Sequence, residues 1–152
     1  MKNNILQFLL CILTLVVGAA AEDLFPKIGG IGFPVLLAAV QFSAVRRTTF
    51  AMVVFAIAAG AVEDALSSLP VMTSVSYFLA VATLTRWLAF PRAVIILTYP
   101  FYQLWLWLWV PWFDCNVFHR ILIALPVGLL AVFAVGIVLA WAERSAAIDE
   151  AG

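Results

Sequence analysis

Glu63 and Asp64 close an otherwise apolar run in AIAAGAVEDALSSLP, residues 56–70. Adjacent carboxylates in that setting could hold a cation, relay a proton, or meet water where a helix leaves a membrane. A relay needs further acids deeper among the helices, and no other apolar run of the chain contains one. The pair is therefore expected to be a solvated helix end, with Ser67 or Ser68 capping the next helix ahead of Pro70. The alternative makes Glu63, Asp64, Ser67, Ser68 and Pro70 a partner-interaction surface, or an ion site, at the outer mouth of a helix bundle.

Asp114, Cys115 and His119 could be imagined as metal ligands, but they lack the paired Cys or His spacing of a zinc site, and a solvated loop is expected. Phosphate-binding, nucleophile-elbow, H-E-x-x-H and G-x-G-x-x-G signatures do not occur. No catalytic residue, cofactor or metal is expected. The two cysteines, Cys11 and Cys115, are read as unpaired. In WLWLWVPW, Trp105, Trp107, Trp109 and Trp112 mark an aromatic belt at headgroup level, with an aromatic cage as the alternative. Tyr99, Tyr102 and Gln103, beside Pro100, could line a cavity or satisfy backbone groups freed by the proline.

The elements that would position these residues follow from composition. Of 152 residues 66% are hydrophobic and only 11% charged, far below the roughly 25% charged of a soluble domain. Eight basic residues balance eight acidic ones, so charge does not point to nucleic acid. Apolar runs give six expected spans: Asn4 to Ala21, Ile28 to Ala44, Thr49 to Leu66, Thr73 to Phe90, Val94 to Val110 and Arg120 to Trp141. They form a single all-α transmembrane domain over 1–152, with 142–152 as a short cytoplasmic tail. The second span opens with GGIGFP and is expected to be short, tilted or partly re-entrant. The first also has the form of a secretory signal with an A-x-A cleavage site, yet its apolar stretch is long for one, so it is expected to be retained.

Positive charge sets the orientation. With the N-terminus inside, Lys2, Arg46, Arg47, Arg86, Arg92 and Arg144 are cytoplasmic, and only Lys27 and Arg120 lie outside. The arrangement is N-in and C-in, with Arg46, Arg47, Arg86 and Arg92 anchoring the inner interface. Small residues at four-residue spacing, Ala56 and Gly60, Ala124 and Gly128, Gly136 and Ala140, mark faces where helices pack closely.

From about Pro34 to Trp87 a pattern emerges: LLAAVQFSAVRRTTF ends a span in a basic loop, Gly60 to Asp64 reads G-x-x-x-D, Ser67, Ser68 and Pro70 make a turn, and Tyr77 lies in the next span. This stretch resembles the MreD family of bacterial rod shape-determining membrane proteins. Two residues after the proline, where that family tends to have glycine, this chain has Met72. The resemblance implies a compact six-helix bundle, similar to the substrate-binding subunits of energy-coupling-factor vitamin transporters, with Asp64 at the family's acidic position. It implies a non-enzymatic scaffold of cell elongation in the bacterial inner membrane. Its expected partners are an MreC-like periplasmic coiled-coil protein, an MreB-like filament, and a RodA-like glycosyltransferase with its transpeptidase. The alternative function is a solute-binding transporter subunit, its pocket lined by Tyr77, Tyr99, Tyr102 and Trp105.

Overall fold

The computed structural model describes the backbone of residues 2–24, 27, 31–87, 92–110 and 116–149, and the side chains at 8–24, 27, 31–87, 96–110, 116–142 and 144. Six helices account for nearly all of it: α1 (Lys2–Leu24), α2 (Val35–Arg46), α3 (Thr49–Leu66), α4 (Thr73–Trp87), α5 (Arg92–Trp109) and α6 (Val117–Asp149). Two are long and apolar enough to cross a membrane by themselves, α3 and the 117–142 part of α6.

The shortest helix lies at the centre. α2 packs on α1, α3, α4 and α6, and most of its side chains are buried, including Leu36, Leu37, Val40 and Ala44. Its 12 residues rise only about 18 Å. The expected span from Ile28 is corrected here: residues 31–34 are not helical, and α2 begins only after Pro34. Pro34 has no N–H to give to a preceding turn and disfavours helix at Phe33, so the helix starts where the proline permits it. Residues 28–30 lie outside the described residues.

α3 and α4 form the closest pair, α5 packs mainly on α6, and α4 touches α5 more lightly. Thr48 caps α3, its hydroxyl accepting from the Ala51 N–H at 3.4 Å. At its far end α3 closes in a Schellman motif: the Leu69 N–H reaches the Asp64 carbonyl at 3.0 Å across left-handed Ser68 (φ 51°). A second turn follows at once, the Thr73 N–H bonding the Pro70 carbonyl at 3.2 Å with Met72 at φ 75°. Residue i+2 of a type II turn needs that positive φ, and glycine meets it without strain. α5 continues through Pro100 and α6 through Pro126. α6 also runs past Trp141 to Asp149, so most of the expected tail is helical.

Candidate functional site

The α3–α4 turn holds Asp64 where neither sequence reading puts it. The side chain is 6% exposed, and its Oδ1 accepts the Ser74 N–H at 2.7 Å. This carboxylate caps the first turn of α4, satisfying an N–H that has no partner within the helix. Oδ2 is buried without a hydrogen-bond partner among the described residues. Asp64 is therefore a buried cap rather than a solvated helix end, which corrects that expectation. Ser67 does not cap α4 either; its hydroxyl donates to Glu63 Oε1 at 3.1 Å, within α3. Ser67 and Ser68 are exposed, Pro70 is half-buried, and Leu66, Val71 and Met72 project beside them. Trp105 braces the turn from α5, its indole N–H donating to the Thr73 carbonyl at 3.0 Å.

Glu63, the neighbouring acid, turns elsewhere. It hydrogen-bonds the carboxyl of Glu22, at the end of α1 just beyond its apolar stretch. Glu22 Oε1 also accepts the Leu36 N–H at 2.8 Å, so α1 caps α2 much as α3 caps α4. Burial, then the hydrogen bond and charge of Glu63, raise the Glu22 carboxyl from 4.5 to about 10, against the lowering by the Leu36 and Val35 N–H groups. The pair borders a cavity of about 290 Å³ that Asp23, Lys27, Tyr99, Tyr102, Gln103 and Arg120 also line. The Tyr99 hydroxyl donates to the Gly32 carbonyl at 2.5 Å, and the Tyr102 hydroxyl lies 2.5 Å from Ser74 Oγ. Tyr77 and Trp105 lie outside this cavity and border a separate apolar groove between α4 and α5, where the Tyr77 hydroxyl bonds the Thr98 carbonyl.

Of the small residues, Ala56 and Gly60 are buried, and Gly60 faces α4. A Cβ on Gly60 would stand 2.5 Å from Val75 Cα and 2.6 Å from Val75 N, so only glycine lets the two backbones meet. Ala124 is buried, and a Cβ on Gly128 would meet Tyr99 Cβ at 2.9 Å. The expected contact through Gly136 is not made among the described residues: none has a heavy atom within 4 Å of the added Cβ, and Ala140 is half-buried.

Trp105 is half-buried and tilted against Trp109 with ring centroids 5.3 Å apart, while Trp107 and Trp109 are exposed. Trp112, Asp114 and Cys115 lie outside the described residues, as does the Arg92 side chain. His119 is exposed on the first turn of α6 rather than in a loop, and no cluster of three metal-ligating side chains occurs among the described residues. At the opposite end of the bundle, the Arg86 guanidinium donates to the Arg47 carbonyl at 2.6 Å and the Ala44 carbonyl at 3.4 Å, capping the end of α2. Arg46 lies over the Phe42 ring, 5.1 Å from its centroid.

Glu22 is the residue that sequence reasoning missed. Its signal was present: Gly18 stands four residues before Glu22 as Gly60 stands four before Asp64. A Cβ on Gly18 would meet Leu36 Cδ2 at 2.8 Å, on the residue whose N–H Glu22 caps. Glycine one turn before an acid thus brings in the next helix and caps it, twice in one chain. No family model, curated protein or solved structure matches the chain.

Proposed function

We propose that this chain is a non-enzymatic integral membrane scaffold, its six helices set in the bacterial inner membrane with both ends cytoplasmic, in the machinery that builds the lateral cell wall. The observation that carries the reading is the α3–α4 turn. Two left-handed residues, the Asp64 cap and the Trp105 brace fix it, and it presents Val71, 89% exposed, and Met72, 61% exposed, at the bundle's acidic end. A rigid, protruding apolar tip is pre-organised for a partner, because little conformational entropy is lost on docking.

A membrane setting is supported by the outward faces of the bundle. Phe8, Leu9, Ile12, Leu13, Val16 and Val17 on α1, and Phe133, Ile137, Val138 and Trp141 on α6, are exposed, whereas Gln41 and Ser43 are buried on α2. Apolar side chains outside and polar ones inside suit a hydrocarbon solvent. Arg46, Arg47 and Arg86 then gather at the cytoplasmic end, and the Asp64 turn at the periplasmic end. The short α2 fits because α1, α3, α4 and α6 pack around it.

The test is a mild-detergent pull-down of the tagged chain from its native membranes, with mass spectrometry of proteins and small molecules. An MreC-like coiled-coil protein and a RodA-like glycosyltransferase with its transpeptidase are the expected recoveries, reduced by Val71→Asp at unchanged protein level. Recovery of ATPase subunits with a stoichiometric metabolite would replace the scaffold by the transporter subunit.

A further inference from the structure

The cavity at the acidic end has features that neither a scaffold nor a helix cap requires. Two carboxyl groups from helices distant in sequence, Glu22 and Glu63, meet there through a hydrogen bond, so one of the facing oxygens carries a proton. A cap on α2 needs only Glu22 Oε1. Gln103 lines the same cavity at 4% exposure, and its amide has no hydrogen-bond partner among the described residues. With their hydroxyls tied to Gly32 and Ser74, Tyr99 and Tyr102 offer ring surface to the cavity rather than donors. The volume, about 290 Å³, is at the lower end of small-molecule sites and equals the space of about ten waters.

We propose that this cavity binds a small organic cation, a primary ammonium or guanidinium compound, whose charged group lies between the carboxyl groups of Glu22 and Glu63. Two facing carboxylates can both ionise only when a positive charge lies between them, and a cation supplies it as the proton leaves for solvent. The Gln103 carbonyl can accept from the same group, and the tyrosine rings attract it through their π faces. Lys27 and Arg120 on the cavity wall oppose a polycation and select against large charge, while Asp23 beside Glu22 keeps the approach acidic. The burial that holds Glu22 protonated at neutral pH makes the exchange proton-coupled. This inference stands whether or not the scaffold reading does.

The experiment is titration calorimetry of the full chain in phosphatidylcholine nanodiscs with methylguanidinium, a monocation. Measurements at neutral pH in two buffers of different ionisation enthalpy count the protons. Saturable binding with about one proton released per methylguanidinium is expected. Glu63→Gln and Glu22→Gln should each weaken it at least about tenfold, and Asp23→Asn less than about threefold. Glu22→Gln keeps the oxygen that accepts the Leu36 N–H, and Glu63→Gln leaves that cap untouched, so one of the two provides the test if the other fails to fold. No saturable binding, binding without proton release, or equal affinity in the glutamine variants would each overturn the proposal.

Discussion

Asp64 and Ser74 are joined across the α3–α4 turn by a 2.7 Å hydrogen bond from the Ser74 N–H to Oδ1, and Glu22 and Leu36 repeat the arrangement between α1 and α2 at 2.8 Å. In each case an acid at the end of one helix supplies the cap that the next lacks. Pro34, before α2, makes no side-chain cap bond of its own. A carboxyl at a helix N-terminus also meets the positive end of the helix dipole. Both acids are thereby drawn into the interior, and the α3–α4 turn is fixed.

Removing the Asp64 cap should cost stability according to what remains as an acceptor. Asp64→Ala leaves the Ser74 N–H unsatisfied and is expected to cost about 1–2 kcal/mol, whereas Asp64→Asn keeps an oxygen and should lose less. Thermal unfolding in detergent, followed by tryptophan fluorescence, measures both. Equal losses would mean that Oδ1 does not cap the helix.

Gly60 and Gly136 should respond oppositely to alanine. At Gly60 the new Cβ meets the Val75 backbone at 2.5 Å, so α4 must move, at a cost of about 1–3 kcal/mol or more. Gly60→Leu should abolish the folded yield. At Gly136 the space is open, and alanine should stabilise α6 by about 0.5–1 kcal/mol through helix propensity. Unfolding midpoints of the two alanine variants decide it; a tolerated Gly60→Ala would exclude the close approach of α3 and α4.

Met72→Gly should be stabilising. Met72 holds φ 75°, a region costing a non-glycine residue about 1–2 kcal/mol, and its side chain is largely exposed, so little packing is lost. The greater freedom of glycine in the unfolded chain offsets part of the gain, leaving a rise of about 0.5–1 kcal/mol in denaturant unfolding. A loss of that size would show that the Met72 side chain holds the turn.

Stability should fall as pH rises through the neutral range. Between 4.5 and about 10 the folded chain keeps a proton on Glu22 that the unfolded chain has released, so raising pH favours unfolding. The contribution is complete below the unfolded value and lost as pH approaches the folded one. Unfolding midpoints from about pH 5 to about pH 9 should decline in the native chain, and Glu22→Gln should flatten the decline. A midpoint that rises over this range would remove the proton from the Glu22–Glu63 pair.

The sequence by itself determined the all-helical character, the number of helices and most of their ends, because apolar runs broken by charge, proline and glycine are local signals. The bounds of α3, Thr49–Leu66, could be read directly, since Thr48 caps it and Ser67 follows it. It also marked Gly60, whose four-residue spacing from Ala56 implied a close helix contact. Only the tertiary structure decided what the acids do. Glu63 and Asp64 are adjacent in the chain, but one helical step, about 100°, separates their directions, so Asp64 is buried against Ser74 while Glu63 meets Glu22. Glu22 entered the site through the packing of α1 on α2 and α3, a long-range contact whose partner helices the Gly18–Glu22 spacing does not name. The positive φ of Met72 was hidden for the same reason: side-chain type sets the cost of a left-handed residue, while the bonds that close the turn on either side decide whether the chain bears it.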